Sequence, residues 1–167
     1  MTALLFLDVD GPLLPFGATP QQLPSGYPDF GHAGPNPLMA RLDPGLGPRL
    51  KSLPCELVWA TTWMSDANEY IAPWLGLPQL PVVDWPDPPV EAGTRGLHWK
   101  TPGLVGWAAG RPFAWVDDEI TDVDRRWVEE HHPAPALLYH VEAWRGLTRT
   151  DFDALDAWLR SDAARTG

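Results

Sequence analysis

The first apolar run of the chain, Leu4-Leu5-Phe6-Leu7, leads into Asp8-Val9-Asp10 and then Gly11-Pro12. Carboxylates this close raise each other's pKa and weaken a fold unless they lie in solvent or share a proton or cation. Along extended backbone, residues i and i+2 project to one side, so Asp8 and Asp10 can face one site. Two later apolar runs end in chemical residues as well. "ELVWA" (56–60) leads to Thr61-Thr62-Trp63, and "PFAWV" (112–116) to Asp117-Asp118-Glu119, with Asp122 four residues after Asp118. Between these two, Lys100 precedes Thr101-Pro102, a helix-start signature, in a chain with two lysines against ten arginines.

The runs that carry these residues read as strands. "ALLFL" (3–7), "ELVWA", "PFAWV" and "ALLYHV" (136–141) are nearly continuous in apolar residues, the pattern of a parallel sheet covered on both faces. "LPVVDW" (80–85), bounded by prolines, suits an edge strand. Helices are expected over 46–53, over 64–71 ending near Pro73, from Thr101 as N-cap to about 109, over 122–130, and after Thr148 or Thr150. In the last of these, Phe152, Leu155, Trp158 and Leu159 form the apolar face. Strands alternating with helices predict a three-layer α/β fold with a mostly parallel sheet. In such a sheet, ligands bind beyond the carboxyl ends of the strands. The carboxylate pair, the hydroxyl pair and the second carboxylate pair all belong on that edge.

At 167 residues the chain is expected to be one domain, 1–167, with two irregular inserts. Residues 12–45 hold eight prolines, too irregular and too long for a neutral loop. Leu13, Leu14, Phe16, Tyr27 and Phe30 argue for an ordered Pro/Gly-rich flap over the end of the first strand. The second insert is 84–97. A net charge of −10 with scattered basic residues opposes an extended nucleic-acid footprint, because phosphate binding needs a basic face. The single cysteine, Cys55, cannot form an internal disulfide or a cysteine metal site. No apolar run reaches membrane-span length and no leader precedes Asp8, so no membrane partner and a cytoplasmic location are expected.

Each motif alone is weak, since Asp-x-Asp also serves glycosyltransferases and nucleases. The ordered set resembles the haloacid dehalogenase (HAD) superfamily, mostly magnesium-dependent phosphatases, over residues 3 to 125. Asp8, Asp10 and Gly11 match its Asp-x-Asp-Gly motif, Thr61 its strand-end hydroxyl, and Lys100 its helix-start lysine. Asp117, Asp118 and Asp122 match its acidic motif, while Pro12 departs from a frequent Thr. The resemblance implies a Rossmann-like fold. It also implies Asp8 as nucleophile forming an aspartyl-phosphate, Asp10 as general acid and then base, and Thr61 and Lys100 on the phosphate. Gly11 and Thr62 complete the expected phosphate-binding set. A Mg²⁺ held by oxygens of Asp8, Asp10 and Asp118, with Asp117 beside them, would neutralise the approach of an anionic phosphate. Asp122 is expected to orient Lys100 or a metal-bound water.

Neither the flap nor the stretch 64–99, between the second and third motifs, has room for a full cap domain. The chain is therefore similar to the capless branch, including HAD-like domains associated with nucleic-acid end repair. A phosphorylated substrate is implied, either a small molecule or a macromolecular phosphate end. The alternative is a catalytically silent module that binds phosphate, Mg²⁺ or a partner protein. His131 and His132 are expected to form a solvated helix end, and Asp151 and Asp153 to be favourable charges at a helix N-terminus.

Overall fold

A computed structural model describes residues 2–85 and 94–165. Four parallel strands form the central sheet: β1 (Leu4–Leu7), β2 (Glu56–Trp59), β3 (Phe113–Asp117) and β4 (Ala136–His140), in the spatial order β2-β1-β3-β4. Helices α1 (Leu46–Ser52), α2 (Ala72–Leu75), α3 (Thr101–Ala108), α4 (Asp122–His131), α5 (Arg149–Leu159) and α6 (Asp162–Arg165) cover both faces. This is the mixed α/β, all-parallel, Rossmann-like architecture that the resemblance implies.

Strand alternation explains the continuous apolar runs. Leu5 and Leu7 of β1 pack with residues of α1, α2 and α5 on one face, and Leu4 and Phe6 pack with α3 and α4 on the other. The central strands β1 and β3 are wholly buried, whereas β2 opens with an exposed Glu56. Register is even across the sheet: Leu7 pairs with Trp59 on one side and with Val116 on the other. One residue further on, Asp8, Ala60 and Asp117 therefore stand at the same level of three adjacent strands.

Several local expectations are corrected. The run 80–85 makes one isolated bridge, Trp59 to Val82, because Pro81 lacks the N–H that a longer ladder needs. The helix expected over 64–71 begins later, as a π-helical turn at Ala67–Ile71 that passes into α2. Pro73 does not stop it, since proline is tolerated in a first helical turn, and Gly76 at φ 69° ends it. Lys100, not Thr101, is the N-cap of α3. His132 is buried, with Nε2 bonded to the carbonyl of Arg111. Asp151 does more than favour a helix dipole, since it closes a capping box with Thr148 and accepts from Tyr139.

The 12–45 insert is irregular apart from a 3-10 turn at Pro37–Arg41. It is tied down nonetheless. The Tyr27 hydroxyl donates to the carbonyl of Trp144, Arg41 stacks over the Tyr27 ring at 4.0 Å, and the Phe16 amide donates to Ala143. Of the expected second insert, residues 86–93 lie outside the described residues.

Phe6 lies at the centre of the β1–β3 face, with ring centroids of Phe113 at 5.2 Å and Trp107 at 5.7 Å. Phe6→Ala is expected to lower unfolding free energy by about 3–5 kcal/mol, measured by urea denaturation, because the aromatic volume cannot refill. A loss below about 1 kcal/mol would mean that this face is not close-packed.

Candidate active site

The ladder sets the geometry of the carboxyl edge. The Asp8 amide donates to Val116, the Ala60 amide to Leu7 and the Val141 amide to Asp117, so the strand ends are locked side by side. Lys100 reaches this edge from the start of α3. Its ammonium lies 2.8 Å from Asp117 Oδ2, 2.9 Å from the carbonyl of Ala60 and 3.2 Å from Asp8 Oδ1. An ammonium has three N–H donors, and here one rung of three strands supplies three acceptors. All of this is buried.

The second oxygen of Asp117 accepts from the Glu119 amide at 3.0 Å, so both of its oxygens are committed. Asp118, half-buried beside it, also lines the cleft. One oxygen each of Asp8, Asp117 and Asp118 lies within 4.8 Å of the others. Gly11, at φ +100°, turns the chain directly beneath Asp118: a Cβ there would stand 2.8 Å from Asp118 Cγ. Only glycine permits both that backbone and that approach.

Electrostatics follow from the crowding. Burial raises the Asp8 pKa well above the carboxylate range; Lys100 pulls it down and Asp117 pushes it up. Asp118 is pushed up to about 7, first by burial and then by Asp117. Burial works against the Lys100 ammonium, but Asp8 and Asp117 outweigh it and hold its pKa above the usual value. Asp10 is raised by burial, against a hydrogen bond from the Trp63 indole to its Oδ2 at 3.2 Å. One ammonium thus faces more carboxyl groups than it can neutralise. The donors are all hard oxygens and three of the carboxyl groups, Asp8, Asp10 and Asp118, are shifted toward protonation, which suits a small divalent cation.

Thr61 is fully buried at the end of β2. Its hydroxyl oxygen accepts from the Trp63 amide at 3.1 Å, which leaves the hydroxyl proton to donate elsewhere. Thr62 is exposed and lines the same cleft of about 250 Å³ as Asp8, Asp10, Lys100 and Asp118, with Phe16 of the flap forming one wall. Asp122 lies apart from this set and makes an exposed ion pair with Arg125 at 3.0 Å. The orienting role expected of it falls to Asp117.

One residue escaped the sequence reading. Asp124 is completely buried. Its Oδ1 accepts from the His98 amide and the Thr101 hydroxyl, each at 2.8 Å, and its Oδ2 from the Thr121 amide and hydroxyl. It therefore fastens the segment presenting Lys100 to the start of α4. The signal was present, since Thr121-x-x-Asp124 is a capping-box spacing. His98 receives the Lys100 amide at Nδ1, so its proton sits on Nε2, which donates to Glu119 at 2.9 Å. No sequence pattern indicated that contact.

A family model described as "HAD domain in Swiss Army Knife RNA repair proteins" matches residues 4–152. No curated protein and no solved structure matches the chain. Among the described residues, no helix is long and apolar enough to cross a membrane.

Two measurements check this site. A raised carboxyl pKa means that the cation-free fold loses stability as pH rises from the unfolded value of 3.8 through about 7, while a cation binds only the carboxylate. Millimolar Mg²⁺ should therefore raise the melting temperature by several degrees at pH 8 and hardly at pH 5. Equal shifts at both, or none at pH 8, would contradict it. Asp124→Ala should cost on the order of 3 kcal/mol by urea unfolding, because it strands buried donors. Asp122→Ala, on the surface, should cost less than about 1 kcal/mol.

Proposed function

Because the chain belongs to the family of HAD domains in Swiss Army Knife RNA repair proteins, we propose that it is a Mg²⁺-dependent phosphomonoester hydrolase whose nucleophile is Asp8. The observation that carries this reading is the Lys100 ammonium, 3.2 Å from Asp8 Oδ1 and beside the Asp8–Asp117–Asp118 cluster. A structural lysine does not need a cation site at its elbow.

Asp8 and Asp118, with the backbone carbonyl of Asp10, would hold the Mg²⁺. When bound, it supplies the positive charge that lets a carboxylate approach an anionic phosphate and offsets charge on the transferring group. The chain's own residues do the rest. A carboxylate oxygen of Asp8 attacks phosphorus, and the bond from phosphorus to the leaving oxygen breaks as Asp10 gives that oxygen a proton. Asp10 then takes a proton from water, water attacks phosphorus, and the Asp8–phosphorus bond breaks to release phosphate. The Thr61 hydroxyl donates to a phosphoryl oxygen, and Lys100 keeps Asp8 aimed while it offsets negative charge. Gly11 keeps side-chain bulk away from the approaching phosphate.

A phosphate end of an RNA strand is the substrate class to examine first, by the description of the family. The net charge of −10 favours recognition of a short end over a long duplex. An open cleft with no full cap among the described residues suits such an end.

The two aspartates are expected to separate cleanly. With nitrophenyl phosphate, whose leaving group needs no proton, Asp10→Asn should still transfer the phosphoryl group and then stall. Asp8→Asn should form no acyl-phosphate at all. On substrates with alkoxide leaving groups, Asp10→Asn should lose about 10²- to 10⁴-fold in rate. Trapping followed by peptide mapping reads the label. Equal labelling of both variants, or turnover that survives EDTA, would exclude this mechanism, whereas no turnover and no label in the unmodified chain with Mg²⁺ would leave the silent module as the reading.

A further inference from the structure

The carboxyl group of Asp10 is oriented from another strand end. Trp63 Nε1 donates to Asp10 Oδ2 at 3.2 Å, although 53 residues separate the two in sequence. Among the described residues, Trp63 is the one side chain that hydrogen-bonds this carboxyl group. The indole ring packs against the larger apolar cluster, so it cannot swing freely.

The turn that aims Trp63 is strained. Met64 adopts φ 53°, a region that residues with a side chain rarely enter, and its amide closes the turn onto the carbonyl of Thr61. Such strain persists only where the surroundings over-determine it, and it collects at working sites. The same turn points the Trp63 amide at the Thr61 hydroxyl oxygen. One tight turn thus engages both the Asp10 carboxyl group and the Thr61 hydroxyl.

The chemistry of the donor matters here. An indole N–H can donate and can never accept. The indole engages Oδ2 of Asp10, which leaves Oδ1 as the oxygen without a side-chain partner among the described residues.

We propose that Trp63 is a positioning residue: its indole N–H, bonded to Oδ2, fixes the rotation of the Asp10 carboxyl group and so presents Oδ1 to the leaving group. This rests on the reading of Asp10 as general acid and base. Without the indole, nothing among the described side chains fixes the rotation of the carboxyl group. Only substrates that need a proton on departure then suffer the full loss.

The test is Trp63→Phe in the full chain with Mg²⁺, which keeps an aromatic ring and removes the N–H. Release of the leaving group is followed in a single turnover for nitrophenyl phosphate and for glycerol 2-phosphate. The loss on glycerol phosphate should exceed the loss on nitrophenyl phosphate by about 10- to 100-fold, the scale of a misplaced catalytic group. Equal losses, or no loss on the alkyl substrate, would overturn the proposal. The contact itself is read without turnover, from the indole N–H resonance that disappears in Trp63→Phe. Asp10→Ala should shift that resonance and speed its exchange with water. An unmoved resonance would sink the proposal even in an active enzyme. A chain without phosphatase activity would refute the function instead, and the resonance would still decide the contact.

Discussion

A buried ammonium with three acceptors on one rung of the sheet is the interaction on which the carboxyl edge depends. Lys100 bonds Asp8, Ala60 and Asp117, the residues that follow β1 and β2 and close β3. Taking the charges out of water is expensive, and their attraction repays it only when the geometry is good and every donor is used. Removing one partner of such a buried set typically costs about 3–5 kcal/mol, because the others are left uncompensated. The lysine therefore fixes the strand ends relative to one another, and their even register lets one side chain do so.

The same arrangement leaves a deficit. Each oxygen of Asp117 is engaged, one by Lys100 and one by the Glu119 amide, while Asp118 sits beside it with its pKa pushed up to about 7. Gly11 brings the β1 loop against Asp118, so the first and last motifs meet at one point. The fold holds carboxyl groups together more closely than their own charges favour. A second positive charge at Asp8 and Asp118 relieves that, which links stability of the edge to its chemistry.

Much of this was legible in the sequence because parallel strands buried on both faces are written as plain apolar runs. All four such runs form the sheet, and the residues that end them share its edge. Legibility failed where tertiary contacts override local pattern. Pro73 reads as a stop, yet the missing N–H costs nothing in a first helical turn. Thr101 reads as a cap, but its hydroxyl is claimed by Asp124. Asp122 matches a motif spacing, yet its position at the first turn of α4 turns it to solvent, while Asp124, two residues on, faces inward. Neither the bond from Trp63 to Asp10 nor the one from His98 to Glu119 has a sequence signature, since each joins segments that only the fold brings together.

The central claim is that Asp8 is the atom donor to phosphorus within a cation-balanced nest of carboxyl groups. A crystal structure of the chain with Mg²⁺ and beryllium trifluoride, a stable mimic of an acyl-phosphate, tests it most directly. The account predicts beryllium bonded to a carboxylate oxygen of Asp8, with Lys100 and Thr61 on the fluorines and the metal between Asp8 and Asp118. Beryllium fluoride on Asp118 or Asp10, or a metal held without Asp8, would contradict it.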